Sequence, residues 1–566
     1  MDKKTGIRIA AASPALKLFD SEFNIRGILS AIEKAKTISA DFIIFPSECL
    51  TGLTVGTLKN TKTVEAGRKA ALNEILNALA ASNITAYFPV NERAYLQKKS
   101  LKAYVLDSES ALILKEVGIE PISSVFDALE LPNIELSSNR ERLLFSSTVS
   151  GARAYSEGEI LASLKDASKR ACAAFAFASP NIGESATGEL FDSLCAIVND
   201  GKVLAVSEPF SEDAFVFADV DIFAIERDRI YEKKPVSKRK SYLSENKSER
   251  EAECRRIVTM QAHALKKRAE HIKANGFVIG VSGGLDSALA LIAAVEAARL
   301  MNKPIKSAVL GVSMPCFGST MRTKNNAEVL VKALGADFKE ISIEKAVRQH
   351  FSDIGYNEEL RGVTYENAQA RERTQLLLSF SNMLNLLDVG TGDLSESALG
   401  FTTFGGDHMA QYSINASLPK TVIREVVALY AKDNLECQSV LNDILETPVS
   451  PELLPPEADS PSQRTEEILG DYSLHDSFIY NFVNYGCSVK ELFLRAKAEN
   501  PLIDEKVIMD ALLVFIKRFF SQAFKRNCAP EVPNILISIA PKFFDMPSDG
   551  TNADFLREYE ELLKQN

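Results

Sequence analysis

The apolar run Gly276-Phe-Val-Ile-Gly280 leads into Val281-Ser-Gly-Gly-Leu-Asp-Ser-Ala288 and then into an alanine- and leucine-rich segment that ends near Leu300. A strand-length apolar run, two adjacent glycines and a helix-length apolar stretch describe a strand that turns sharply into a helix. The same order recurs downstream. "SAVLGVSMP" precedes a helix from about Met321 to Leu334, "FKEISI" precedes a long helix around Glu366 to Leu384, and "LLDVGTGD" follows. Strands separated by helices cross over in one hand and stack into a doubly wound parallel sheet, so this alternation predicts an α/β fold for the second part of the chain.

The first part alternates too: "IRIAAAS", a helix around Ile25 to Ser39, "DFIIFPS", a helix around Val64 to Ala81, "NITAYFPV" and "LKAYVLD". A second group of strand-like runs, "CAAFAFASP", "LCAIVND" and "KVLAVSEPF", closes near Ile222. At 566 residues the chain exceeds what one hydrophobic core organises. The charge-rich stretch "ERDRIYEKKPVSKRKSYLSENKSERE" divides it. Domains are expected over residues 1–230 and 251–566, joined by a linker over 231–250, with a helical tail broken by "TPVSPELLPPEADSP".

A formal net charge of -11 disfavours nonspecific binding to polyanions, so no nucleic-acid partner is expected. Eight cysteines lie scattered at 49, 172, 195, 254, 316, 437, 487 and 528, without a C-x-x-C pair. That pattern suggests neither a zinc site nor a secreted disulfide framework. The start, "MDKKTGIRIAAASPALKLFD", holds no apolar core of signal-peptide length, and no membrane-length apolar run follows. A cytoplasmic protein with no membrane partner is the expectation.

A Gly-Gly turn that opens directly into a helix aims backbone N–H groups and the positive end of the helix dipole at one spot, which suits a phosphate. A tight turn with no ligand fits the same glycines. Ser282 and Ser287 add hydroxyl donors, and Asp286 offers a hard oxygen for Mg²⁺. The loop is neither G-x-x-x-x-G-K-[ST] nor G-x-G-x-x-G. A second segment, Val389-Gly-Thr-Gly-Asp-Leu-Ser-Glu396, stands where a strand ends, the edge at which doubly wound sheets place ligands. Glu396 then falls in the first turn of a helix, and a plain helix start capped by Asp393 or Ser395 with Glu396 completing the cap is the competing reading.

The loop resembles the S-G-G-x-D-S pyrophosphatase loop of adenylating synthetases. Together with "SMPCFGSTMRTKNNA", "VTYENAQARERTQ", "VGTGDLSESALGFTTFGGDHMAQYSINASLPKT", "ETPVSPELLPP", "FFSQAFKRN" and "MPSD", it makes residues 248 to 550 similar to the synthetase domain of long, glutamine-dependent NAD⁺ synthetases. The resemblance implies a Mg²⁺- and ATP-dependent amidation of deamido-NAD⁺ by ammonia through an acyl-adenylate, with release of AMP and pyrophosphate. It implies ATP contacts from Gly280, Ser282, Gly283, Gly284, Asp286, Ser287 and Thr391, and Mg²⁺ held by Asp286 and Glu396, the two catalytic positions. It places Asn367, Glu396, Phe401, Thr402, Thr403, Phe404 and Lys525 along the deamido-NAD⁺ site, with Asp407 and Lys420 close by. His408 is read as structural.

The N-terminal part resembles the nitrilase-type glutaminase of the same enzymes in "IRIAAASPAL", "ADFIIFPSECLTGLTVGTL" and "GESATGELFDSLCAIVNDGKVLAVSEPF". That resemblance implies a nitrilase-like α/β sandwich and a Glu-Lys-Cys triad, and the triad is missing. Ser47 stands at the glutamate's position with Glu48 one place on, which in a strand or its exit would turn it to the opposite face. Ile122 or Ser123 stands where the cysteine belongs, and the segment bearing the lysine is shortened, with Lys115 a remnant or a coincidence. Cys172 reads as a core residue. The expectation is a pseudo-glutaminase, with ammonia free or supplied by a separate glutaminase, on a chain that forms homo-oligomers. A working glutamine-dependent enzyme and a nucleotide-binding pseudoenzyme or regulator stay open as alternatives.

Overall fold

The computed structural model describes residues 7–80, 82, 84–90, 93–97, 104–106, 119–122, 143–147, 151–171, 174–220, 239, 241–447, 453–454 and 471–565. The chain forms two compact units. The first comprises residues 1–185 and 189–238, and the second comprises residues 186–188 and 239–566.

In the first unit, β1 (Ile7–Ser13), β2 (Phe42–Ile44), β3 (Thr85–Val90), β4 (Arg93–Gln97), β5 (Tyr104–Leu106) and β11 (Ala214–Val220) form a sheet in the order β11-β1-β2-β3-β4-β5. A second sheet runs β10-β9-β8-β7-β6, built from β6 (Ile119–Ile122), β7 (Leu143–Ser147), β8 (Ala174–Ala178), β9 (Cys195–Asn199) and β10 (Lys202–Val206). Small and branched side chains from both, among them Ile9, Ala11, Ile44, Ala174, Ala176 and Ile197, share one core, so the sheets pack face to face. Helices cover the outer faces. The helix Ser21–Thr37 starts where the Asp20 side chain accepts from the Phe23 N–H, and it buries Ile25, Ile28, Ala31, Ile32 and Ala35 on one stripe. The helix Ser156–Ala171 packs Leu164 and Ala167 on Phe175, Phe177 and Val198. This is the nitrilase-like sandwich that the sequence suggests.

The second unit holds a wholly parallel sheet of β12 (Gly276–Gly280), β13 (Val309–Ser313), β14 (Asp337–Glu340), β15 (Leu386–Gly390) and β16 (Tyr412–Ser413), in the order β14-β13-β12-β15-β16. Chain order runs outward in both directions from β12, so the sheet is doubly wound as expected. Its topological switch lies between β12 and β15, which pair with Gly276 opposite Leu386 and Val278 opposite Asp388. The helix Leu285–Leu300 that follows β12 buries an unbroken run from Ser287 to Val295, as its nearly uniform apolar sequence requires. The tail is helical, over Tyr472–Tyr485, Val489–Glu499, Glu505–Ser521 and Ala553–Gln565.

One expectation about the first unit needs correction. β2 ends at Ile44, so Ser47 and Glu48 sit in a turn beyond the strand, and Glu48 has a left-handed backbone with φ 57°. A one-place shift there does not swap sheet faces, because the period of two holds only while the chain stays extended. Ser47 is buried, Ile122 is the last residue of β6, and Ser123, Lys115 and Cys172 lie outside the described residues.

Candidate functional site

The loops after β12 and β15 lie side by side at the switch point. After β12, Gly283 adopts φ +82°, and a Cβ there would stand 2.1 Å from the Thr323 carbonyl oxygen, so only glycine fits. Gly284 is the N-cap of the helix Leu285–Leu300 and has no side chain to cap it. That leaves first-turn N–H groups for an anion. Ser282 and Ser287 turn their hydroxyls toward each other at 3.2 Å; Ser287 Oγ donates to the Gly284 carbonyl, and Ser282 Oγ accepts from the Gly284 N–H. Gly280 closes β12 against Leu377 and Met314.

After β15, Asp393 and Glu396 form a capping box at the helix Leu394–Leu399: Asp393 Oδ1 accepts from the Glu396 N–H at 2.7 Å. The capping reading of this segment is therefore correct, and each carboxylate also turns an oxygen toward a cation. Lys420, at the start of the helix Lys420–Asp433, reaches into the gap between the loops. Its Nζ lies 2.6 Å from Asp286 Oδ2, 2.6 Å from Asp393 Oδ2 and 3.0 Å from Glu396 Oε1.

Oxygens of Asp286, Asp393 and Glu396 lie within 4.8 Å of one another. One ammonium among three carboxylates leaves two negative charges in excess when all are ionised. Burial pushes Glu396 up to about 7 and Asp393 well above the usual carboxylate range, with Lys420 opposing both shifts. Burial also works against the Lys420 ammonium, but the three carboxylates outweigh it and hold its pKa well above the ordinary lysine value. Asp286 Oδ1 is buried without a hydrogen-bond partner. An unsatisfied carboxylate oxygen inside an over-acidic cluster fits a divalent cation with oxygen ligands, and Asp286, Glu396 and Asp393 are the residues able to hold it.

Two contributors escaped the sequence reading as site residues. The sequence presents Asp393 only as a cap. Asn415, fully buried, donates from Nδ2 to the carbonyls of both Asp286 and Thr391, at 2.9 and 3.1 Å, while its Oδ1 accepts from Gln261 Nε2 at 2.8 Å. It ties the two loops together and fixes Thr391 beside them. A buried amide in "QYSINASLPKT" was the available signal, and nothing in the sequence said which strands it would bridge.

The other residues expected along the second substrate gather about the segment that follows the helix Leu394–Leu399. Thr403 donates from Oγ1 to Asn367 Oδ1 at 2.8 Å, and its N–H donates to Asp407 Oδ1 at 2.5 Å. Burial raises the Asp407 carboxyl and lowers His408, the latter against the hydrogen bond to the Thr403 carbonyl, which favours the protonated ring. Phe404 is half exposed and stacks on His408 at 5.1 Å, with Phe524 5.7 Å away. The Arg518 guanidinium covers the Phe401 ring at 4.4 Å. Lys525 donates to the carbonyls of Gly400 and Thr402 at 2.8 and 2.7 Å, so it braces the loop 400–404. His408 Nδ1 lies within hydrogen-bond reach of the Gly405 N–H and the Thr403 carbonyl, which fits the structural role read for it.

Comparison with known proteins narrows the field. Residues 257–510 match the family model described as NAD synthase. The glutamine-dependent NAD(+) synthetase of Mycobacterium bovis is 30% identical over 430 residues, which covers 66% of this chain and 63% of that protein's length. The chain thus spans under two thirds of that relative. An NH(3)-dependent NAD(+) synthetase from Thermococcus kodakarensis is 33% identical over 165 residues, 29% of this chain and 61% of its own. The crystal structure of a glutamine-dependent NAD(+) synthetase from Cytophaga hutchinsonii shares the fold over 98% of this chain and 100% of its own, with a TM-score of 0.76 at 16% identity. No helix among the described residues is long and apolar enough to cross a membrane.

Proposed function

We propose, from the premise that residues 257–510 are a domain of the NAD synthase family, that the protein amidates deamido-NAD⁺ to NAD⁺ at the expense of ATP, which leaves as AMP and pyrophosphate. The observation that carries this reading is the convergence of Asp286, Glu396 and Lys420 beside an uncapped helix start at the sheet's switch point. A carboxylate has no good leaving group, so it must first be activated. The first-turn N–H groups after Gly284 and the Ser282 and Ser287 hydroxyls are donors suited to the β- and γ-phosphates as they depart. Lys420 keeps its proton and adds a positive charge at the phosphoryl oxygens where negative charge builds. Mg²⁺, held by Asp286 and Glu396, would neutralise phosphate oxygens and so stabilise that same charge. The loop 400–404, braced by Lys525 and by the Asn367–Thr403–Asp407 bonds, would orient the acyl group for attack by ammonia, and AMP then leaves.

Ammonia is the nitrogen source in this reading. Cys49 and Cys195, the described cysteines of the first unit, are both buried, and burial pushes their thiols far above the ordinary value. A thiol that stays protonated is a poor nucleophile. Ser47 offers no base to replace the triad's glutamate. Ammonia would come from solution or from another protein, and homo-oligomeric assembly belongs to the same reading.

The test supplies deamido-NAD⁺ and Mg-ATP with either ammonium or glutamine as sole nitrogen donor and follows NAD⁺ and AMP. Turnover with ammonium alone is the expected result. Equal turnover with glutamine would restore a working glutaminase, and tight nucleotide binding without turnover would point to a regulator. A monomer in light scattering at working concentration would remove the assembly claim.

A further inference from the structure

Glu396 and Lys420 sit on different helices, and their spacing has to be held by something other than their mutual attraction. The helix Lys420–Asp433 begins after Pro419, which supplies no side-chain cap. Its first N–H groups are satisfied from elsewhere: the Lys420 N–H donates to Ser395 Oγ at 2.9 Å, and the Thr421 N–H donates to Asp476 Oδ2 at 3.0 Å. The Thr421 hydroxyl also donates to Asp476 Oδ2, at 2.7 Å. Ser395 Oγ, having accepted from Lys420, donates to the other carboxylate oxygen, Asp476 Oδ1, at 2.5 Å. Asp476 itself stands in the helix Tyr472–Tyr485, remote in sequence from both partners, and is 2% exposed.

We propose that Asp476 is a positioning residue for the reaction: by accepting from Ser395 and Thr421 it locks together the first turns of the helices that carry Glu396 and Lys420, and so sets the gap in which cation and phosphate meet. The inference rests on the proposed synthetase reading for its catalytic consequence, though not for its geometry. All three groups that meet Asp476 are donors. A carboxylate can take all of them, whereas an amide of the same shape presents one acceptor and one donor, and the donor must oppose either a hydroxyl or the Thr421 N–H. Two helix starts would then be free to separate by a fraction of an ångström. Contacts at this remove set cation affinity as well as rate, since they orient the groups that touch the cation.

The experiment compares the parent chain with D476N and, as a variant that spares the buried carboxylate, with T421V and its conservative counterpart T421S. Mn²⁺ affinity is measured by electron paramagnetic resonance with ADP present, alongside kcat and KM for deamido-NAD⁺. The expected result is a loss of about tenfold or more in Mn²⁺ affinity and in kcat for D476N and T421V, a KM within about twofold of the parent, and recovery in T421S, the range seen when groups behind metal ligands are removed. In a D476N background, adding T421V should cost less than T421V does in the parent, because both changes loosen the same junction between the two helix starts. Folded D476N and T421V proteins that bind Mn²⁺ as the parent does would overturn the proposal. The same holds if T421S loses as much as T421V. Should the parent bind Mn²⁺ yet form no NAD⁺, the synthetase reading fails, while the affinity series still decides the role of Asp476.

Discussion

Two carboxylates in different units of this chain meet opposite fates. Glu184 in the first unit accepts from the Leu53 N–H at 2.6 Å, the Thr54 N–H at 2.9 Å and the Thr54 hydroxyl at 2.5 Å, and it is 3% exposed. Asp286 in the second unit accepts from Lys420 on one oxygen and from nothing on the other. The first carboxylate is saturated by donors from its own chain and holds a loop in place. The second keeps acceptor capacity in a cluster that already carries surplus negative charge, a state that costs stability unless a ligand completes it. We propose that saturation marks a structural acid and unsatisfied charge a ligand-binding one.

The hardest way to break that contrast is E396Q. Glutamine preserves the shape and can still meet the capping bond, while the charge next to Lys420 disappears. The expected outcome is a fall of about 10³-fold in NAD⁺ formation, the scale of losing a principal electrostatic contributor, together with a higher unfolding midpoint, since the excess negative charge is relieved. Parallel rate and melting measurements check both. Activity near that of the parent would mean that Glu396 is only a cap.

K420M tests the same cluster from the cationic side. Three clustered carboxylates would lose their counter-ion, and removing one partner of a buried ion pair costs about 3–5 kcal/mol. Added Mg²⁺ should recover much of that loss in K420M and less in the parent, which already has its ammonium. Melting curves with and without Mg²⁺ read the difference directly. If Mg²⁺ gives no recovery, the acidic cluster is not a cation site.

A third carboxylate sits between the two extremes. Asp388, in the middle of β15 opposite Val278, is 2% exposed, has one oxygen without a partner, and is pushed up to about 7 by burial. Its folded pKa stands above the unfolded value, so its stabilising contribution is full below about pH 4 and is lost as pH rises through about 7. For one such group the loss is at most about 1.4 kcal/mol per pH unit inside that window. D388N should flatten this part of the stability profile. Chemical denaturation at several pH values between 4 and 8 checks it, and an unchanged slope would assign the pH dependence to other groups, Glu396 first among them.

Much of this was legible in the sequence, for a physical reason in each case. The doubly wound sheet showed in strand-length apolar runs separated by helix-length ones, and the turn showed as two adjacent glycines, of which Gly283 is required by its approach to Thr323. Asp286 and Glu396 could be named because each lies in the first turn after a strand. Lys420 was placed near the substrate by resemblance alone, and its three ion pairs were not foreseeable, since they join helix starts far apart in sequence. Asn415 and Asp476 were invisible for the same reason. Their partners are backbone groups, hydroxyls or, for Asn415, the Gln261 amide in other segments, and no local spacing encodes such a meeting. Four short strands were also missed: β4 follows β3 almost directly, β6 and β7 lie in the stretch read only for the missing triad, and β16 is only two residues long.

The smallest predicted effect returns to Glu184. E184Q keeps the volume but turns one acceptor into a donor, which must face either the Leu53 N–H or the groups of Thr54. A buried bond lost in this way costs about 1–3 kcal/mol, seen as an earlier unfolding transition of the first unit. Because Glu184 holds Leu53 and Thr54 within the first unit, Mn²⁺ affinity at the second unit's acidic cluster should stay at the parent value. A substitution that left stability untouched would show that the loop is held by its other contacts. If instead Mn²⁺ affinity fell with stability, Glu184 would belong with the functional acids, and saturation by donors would no longer separate the two kinds.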